Sequence, residues 1–563
     1  MSARAIASLL VLALACDGPI AAPDGGRDAG RDAARPDSGP LVEYWPGTLP
    51  PASELGERRG RAIARATVHL HSPLSHDACD GEGWVDGALA DAECLAHLRA
   101  AMCDLHLDAA MLTDHSPHVE EVSIERALWL EEGDEPLLDA AGDVIAGRVV
   151  CEDGHRVLVT VGSENRLMPI GLERHPGDPS DPEALQALYD SADPDAVAAF
   201  RAAGALIWQA HTEGRTLEEL RAVDLDGLEI YNLHANVAPD IREEHLGLPP
   251  ADFFRALLDF ADARFRMPPD LAVLAFLSEN QPSLDRWDAL LAEGVRVAAT
   301  GGCDAHENTL PMTLPDGERA DSYRRMMIWV QNHLLVDDDS PEAIDEALLR
   351  GRLYVTFEVF GSPVGFDFVA EDAGTFFDMG DDAPAGATLR VVRPSLPEGF
   401  PADPPPVVSM RIVRSSASGA VEVASGDGAT LEHVATEPGA YRAEVRMIPE
   451  HARPALGERG APLIRELPWV YSEPDLRHCA VRSVPAATAP PMTVVRTRAP
   501  ASASSARVAG ASMQRTSALA TRTVSIRRRE RSHARGGNGP ATCRSIGRRR
   551  AGRRADRRSR ADR

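Results

Sequence analysis

The chain has 563 residues, 44% of them hydrophobic, and a formal charge of −27. That length holds two or three domains with a sizeable core, and the apolar fraction is that of a globular chain, not a membrane bundle. The acidic balance speaks against nucleic acid as a partner.

There is no lysine, and the charge is uneven. Residues 479–563 carry about 21 Arg against about 3 acidic residues, which leaves roughly −45 on the rest. In chain order, residues 1–16 come first, as MSARAIASLLVLALAC. One Arg precedes an apolar run too short to span a bilayer. Leu12-Ala13-Leu14-Ala15-Cys16 resembles a bacterial lipoprotein signal, which implies a lipidated Cys16; the alternative is an ordinary signal peptide. Both readings export the chain. The first makes it a lipoprotein of a Gram-negative cell envelope, periplasmic or outer-membrane-anchored, that touches membrane only through its N-terminal lipid.

Residues 17–60, rich in Asp, Gly, Ala and Pro, read as a disordered linker. Over 61–360, short β-type runs alternate with helical ones. The β-type runs include Ala66–His71, Ala109–Thr113, Arg156–Val161, Ala205–His211, Gly227–Asn232 and Val295–Thr300. Helical stretches lie at Ala88–Met102, Ala184–Ala203, Asp252–Ala263 and Leu284–Gly294. A capped final helix follows at Ser340–Arg352. Such alternation predicts an α/β domain with a parallel sheet, open or closed into a barrel. Residues 361–478 change to short strands and turns, the pattern of a small all-β sandwich. The Ala/Ser/Arg-rich tail 479–563 predicts disorder and no fold; a basic arm for nucleic acid is the alternative and fits badly with export, and an out-of-frame translation would give the same abrupt charge reversal. In an exported chain, Cys79, Cys94, Cys103 and Cys151 predict two disulfides, with three connectivities open, while Cys303 stays a thiol.

The chemistry lies where ligand-type residues fall. His69 and His71 close the first strand, with His76 and Asp77 just beyond. Asp114 and His115 close the second, and Glu164 follows the third. His211 ends the fourth, Glu229 and Asn232 end the fifth, and Asp304 and His306 follow a late one. Alternation puts His69 and His71 on one face, and in a β/α barrel all the C-terminal strand ends meet at one mouth. Imidazole and carboxylate donors suit Zn²⁺, Mn²⁺ or Fe²⁺. No nucleophile elbow, P-loop or dinucleotide fingerprint competes.

In this order, HxH, TDH, GxE, a lone His and GxDAH resemble the polymerase-and-histidinol-phosphatase (PHP) superfamily over about residues 66–310. EALLRGRLYVTFE and LPWVYSEP are similar to its exported branch, which includes carbaryl hydrolases. The resemblance implies a distorted (β/α)7 TIM-like barrel and two or three divalent ions. The first ion would lie on His69, His71, Glu164 and Asp304. A second would be shared by Glu164 and His211, and a third would take His76, His115 and His306, with Asp77 competing for His76's role. Asp304, His306 and His211 would also serve catalysis. Relatives carry a His soon after the GxE glutamate. Here either His175 swings in or the second site is weaker.

Glu229 and Asn232 are either a structural pair or substrate contacts. His118 and His234 are proton-donor candidates against a surface-histidine reading, and Arg174 is a phosphate-binding candidate. The function expected is hydrolysis of a small phosphate ester by water activated at the metals. Carbamate, ester or amide hydrolysis is the alternative, and a non-catalytic envelope lipoprotein on a PHP barrel is the third reading.

Overall fold

The computed structural model describes residues 42–476. The expected signal, the lipid anchor, the first part of the linker and the Arg-rich tail lie outside the described residues. Among those described, no helix is long and apolar enough to cross a membrane.

Nine strands frame the candidate site. They are β1 (Ala62–Leu70), β2 (Ala109–Leu112), β3 (Arg156–Val161), β4 (Met168–Ile170), β5 (Leu206–Gln209), β6 (Gly227–Asn232), β7 (Ala298–Gly302), β8 (Gln331–Val336) and β9 (Leu353–Thr356). All of β1 beyond its first residue is buried, as are β2, β5, β6 and β7 throughout. Such runs belong to strands covered on both faces.

β1, β2 and β3 pair in parallel, as do β5, β6 and β7. Three strands depart from the expected alternation: β4 runs antiparallel to β5, β8 to β1, and β9 to β8. The result is a mixed α/β fold of two sheets, β9-β8-β1-β2-β3 and β7-β6-β5-β4. They touch at two isolated bridges, Leu70 with Ala305 and Val161 with Leu172. Among the described residues these two sheets are not joined into a continuous seven-stranded ladder. The insert after β2 ends in a hairpin, Glu135–Leu138 and Val144–Val150, that extends the first sheet at β3.

Helices follow their capping chemistry. Asp91 accepts from Glu93 N and Cys94 N and so starts Ala92–Asp104 later than Ala88, which instead pairs in a short hairpin. The stretch Ala184–Ala203 becomes two helices, Pro182–Tyr189 and Pro194–Ala202, each opened by an Asp cap and a Pro. Pro341–Arg350 has Ser340 as its cap and ends on Gly351 at φ 65°.

Two boundaries are corrected. The linker does not reach Gly60: Trp45, Leu49, Ala52 and Leu55 are buried, and Trp45 Nε1 donates to Val359 O at 2.9 Å. Apolar side chains within an acidic, Gly-rich segment were enough to dock its second half. The β-rich region is likewise no free-standing sandwich. Asp367–Asp372, Thr375–Asp378, Thr388–Val392 and Thr430–Val434 form their own antiparallel sheet. Val407–Ser416, Gly419–Gly426, Ala440–Ile448 and Leu467–Ser472 instead continue the main sheet, because Leu467–Ser472 pairs with the open edge of β9. An unpaired edge is a ready template for another strand.

Disulfides join Cys79 to Cys94 and Cys103 to Cys151, and Cys303 is a buried thiol whose pKa burial pushes up.

Arg65 of β1 is fully buried and donates to Glu358 at 2.6 and 3.2 Å, while His333 Nε2 lies 3.2 Å from the same carboxylate. Arg65 Nη1 also donates to Pro50 O at 2.8 Å, which ties in the N-terminal segment. Breaking such a pair strands a charge in the core. Glu358→Ala is expected to cost about 3–5 kcal/mol in urea unfolding, and a loss below about 1 kcal/mol, the range of exposed ion pairs, would show that the pair is not anchoring the strand.

Candidate metal centre

The two histidines that end β1 are fully buried, and their Nε2 atoms lie 3.0 Å apart. Glu164 Oε2 is 3.0 Å from His69 Nε2 and 3.4 Å from His71 Nε2. Asp304 Oδ1 is 3.3 Å from each. Donors bound at ~2.0–2.2 Å to one ion stand roughly 3.0–3.5 Å apart along a polyhedron edge, so this quartet has the spacing of a coordination sphere. His211 Nε2 approaches the opposite oxygens, 3.5 Å from Glu164 Oε1 and 3.2 Å from Asp304 Oδ2. Glu164 therefore presents one oxygen to the β1 pair and the other to His211, the geometry that bridging requires.

Five imidazoles share one arrangement. In each, Nδ1 has a hydrogen-bond partner. His69 Nδ1 meets Glu229 Oε1 at 2.7 Å and His71 Nδ1 meets Ser75 Oγ at 3.2 Å. His211 Nδ1 meets Glu213 Oε1 at 2.9 Å and His306 Nδ1 meets Asp304 O at 3.0 Å. His115 Nδ1 donates to the Glu164 carbonyl. A donating Nδ1–H leaves Nε2 as a lone pair. All five Nε2 atoms lie within 4.0 Å of a carboxylate among Asp77, Glu164 and Asp304.

Lone pairs so placed need positive charge. Asp304 Oδ1 and His306 Nε2 are buried and have no hydrogen-bond partner, a state that native proteins seldom leave uncompensated. Burial opposes a charge on His69, yet Asp304, Glu229 and Glu164 push its pKa well above the usual range. Burial opposes that of His71 too, and Asp304 and Glu164 bring it up to about 9. Burial favours the neutral acids at Glu164 and Asp304, yet His69 and His211 hold both carboxylates well below their ordinary values. Protons and cations compete for these same atoms, and the donor set fits divalent ions.

His115 and His306 group with His71 within ligand reach. Asp77, not His76, faces them: Asp77 Oδ1 is 3.5 Å from His306 Nε2 and Oδ2 is 4.0 Å from His115 Nε2. His76 is exposed, its ring centroid 5.5 Å from that of His115. His175 stands apart from the cluster and does not swing in. Its nitrogens meet Tyr189 Oη at 2.9 Å and Val122 O at 2.7 Å, because β4 turns the chain away after Glu164. Arg174 is also displaced: it is exposed, lies 3.6 Å from Glu173, and reaches the Ala202 carbonyl. His118 lies 3.5 Å from Glu121.

Glu213 carried no motif signal. It is buried two residues beyond His211 and is held by Asn280 Nδ2 at 3.0 Å and Ser283 Oγ at 3.4 Å. Glu229, undecided from sequence, orients His69 and also accepts from His211 N at 3.1 Å. Asn232 Nδ2 joins Glu229 to Asp304 with two contacts of 3.2 Å. His211 and Asp304 sit at φ 49° and 53°, left-handed conformations that cost of order 1–3 kcal/mol each in a non-glycine residue and cluster at functional sites. A Cβ on Gly302 would lie 1.9 Å from Glu229 Oε1, so only glycine admits that carboxylate.

No protein-family profile matches the chain, and no curated protein matches it. Among solved structures, a two-domain protein from Bacteroides vulgatus containing a predicted PHP-like metal-dependent phosphoesterase is similar over 70% of this chain and 93% of that one, at 12% identity and a TM-score of 0.30. A likeness at that score decides neither fold nor chemistry, which rest on the residues themselves.

Replacing the partner of a ligating histidine typically costs 10–100-fold in metal affinity. Glu229→Gln and Gly302→Ala are each expected to weaken Zn²⁺ by about that factor in competition with a chromophoric chelator. Unaltered affinity in both would remove Glu229 from any role in the centre.

Proposed function

We propose that the chain is a metal-dependent hydrolase of the PHP type, its strands arranged as a distorted (β/α)7 barrel, acting on small phosphate esters. The observation that carries this is the convergence of five imidazole Nε2 atoms on the carboxylates of Glu164, Asp304 and Asp77, the first two of them buried, with each ring held by a contact at Nδ1. His69, His71, Glu164 and Asp304 would hold one Zn²⁺, Mn²⁺ or Fe²⁺ ion. Glu164, Asp304 and His211 would hold a second, and His115, His306 and Asp77 a third. When bound, such ions supply Lewis acidity toward a phosphoryl or acyl centre and lower the pKa of water.

The chain's own residues do the rest. Glu229, Glu213 and the Glu164 carbonyl hold three rings in the tautomer that offers Nε2. Asn232 steadies Asp304. Arg215 supports an anionic substrate. It is half-buried, follows the turn that carries Glu213, and forms no ion pair among the described residues. Its Nη2 lies 3.5 Å from Arg166 O, so it spans the loops that bear His211 and Glu164. Arg286 donates to the Arg215 carbonyl. In a chain with 86 acidic residues against 59 basic ones, a guanidinium in no ion pair among the described residues is suited to a phosphate it can grip with two hydrogen bonds.

The two disulfides support an oxidising compartment. With the N-terminal segment, they favour an exported, lipid-anchored protein of the cell envelope whose partners are small molecules and not nucleic acid.

The test is metal analysis with a panel of aryl phosphates, phosphodiesters and carbamates. Chelation is expected to abolish turnover and divalent ions to restore it. His69→Ala and Asp304→Ala should each bring turnover to background in soluble protein; undiminished activity in either would falsify the assignment. Arg215→Ala is expected to lower kcat/KM for aryl phosphates by about 10- to 100-fold, the worth of a charged hydrogen bond, and to spare neutral carbamates. A carbamate turned over in preference to every phosphate would move the assignment to the acyl reading.

A further inference from the structure

His234 has no part in the ligand set inferred from sequence. It lies two residues beyond Asn232, in the short helix Leu233–Val237 that leaves the end of β6. Asn232 caps this helix by accepting from Ala235 N at 3.0 Å, so one side chain both steadies Asp304 and sets the direction in which His234 departs.

The His234 ring stands edge-on to that of His306, with centroids 5.8 Å apart. A nitrogen of His234, a carboxylate oxygen of Asp304 and a nitrogen of His306 all lie within 4.8 Å of one another. Two donors on opposite sides of an ion at ~2.1 Å stand roughly 4.2 Å apart, so these three are at coordination scale after small side-chain adjustments. His234 is half-buried and makes no side-chain hydrogen bond among the described residues. An ordinary surface histidine would face water. This one faces the two residues whose buried atoms, Asp304 Oδ1 and His306 Nε2, lack partners. His76, the residue the sequence pattern assigned to the ion at His306, belongs to no such group.

We infer that His234, and not His76, is a ligand of the divalent ion held at His306. This rests on the metal-centre reading above and extends it to a residue outside the sequence motifs. A neutral imidazole also suits a site already dense in carboxylates, since it adds a donor without adding negative charge.

The experiment uses the full chain, stripped with chelator and titrated with Zn²⁺. Bound ions per chain are counted by plasma mass spectrometry, and affinities come from chelator competition. A parallel Co²⁺ titration reports coordination number through the visible d–d bands. His234→Ala is expected to lose one ion, or to weaken one by at least tenfold, and to change the Co²⁺ spectrum. His76→Ala should match the wild type in all three readouts. His234→Asp, which restores a donor atom, should recover part of the lost affinity, and thermal melts of the stripped variants control for folding. Unchanged stoichiometry, affinity and spectrum in His234→Ala overturns the inference, as does an equal loss in His76→Ala. A wild type that takes up no ion defeats the metal-centre reading itself, an outcome distinct from both.

Discussion

The organising constraint in this protein is the burial of lone pairs that face one another. His69 Nε2 and His71 Nε2 lie 3.0 Å apart with Glu164 and Asp304 between and around them. Two imidazole nitrogens fixed as acceptors repel at that distance, and two carboxylates brought out of water lose their hydration. Such a cluster persists only if cationic charge enters it, as protons on the histidines or as metal ions. The raised pKa values of His69 and His71 and the lowered values of Glu164 and Asp304 express the same demand.

A second layer of residues denies the cluster an easy escape. If the rings could take the other tautomer, Nε2–H would already point at the carboxylates and settle the charge locally. Glu229, Ser75, Glu213, Asp304 O and Glu164 O each engage an Nδ1 and oppose that exchange. The backbone contributes as well. Left-handed φ at His211 and Asp304 and the missing side chain at Gly302 bring the groups nearer than relaxed strands would. The fold supports this strain because the strands that lead to these residues are buried beyond the first residue of β1 and β3.

The frame around the centre is held by continuity, not by a separate domain. Through β8, β9 and Leu467–Ser472 the main sheet runs on into the β-rich region. Buried ion pairs accompany it: Arg65 with Glu358, and Arg442 with Asp288 and Glu444. The all-β half is therefore joined, through β9 and β8, to the strand whose end carries His69 and His71.

Much of the centre was legible in primary order, because metal ligation demands particular side chains and strands deliver them at a period of two. His69, His71, His115, Glu164, His211, Asp304 and His306 all lie at or just past strand ends, and the structure brings them together. The parallel β–α stretches and the cap of Pro341–Arg350 could be read for the same local reasons. What sequence could not decide depends on where chains meet. His175 was carried away by a β4 that runs antiparallel, and Asp77 turned inward in place of its neighbour His76. Glu213 acquired its role through Asn280 and Ser283, about 70 residues distant. The sandwich boundary failed because an open strand edge accepts any compatible partner, wherever in the chain it lies. Residue type and spacing determined which atoms could bind a cation. Tertiary structure alone decided which of them face one another, since contact in three dimensions is set by the packing of elements far apart in the chain.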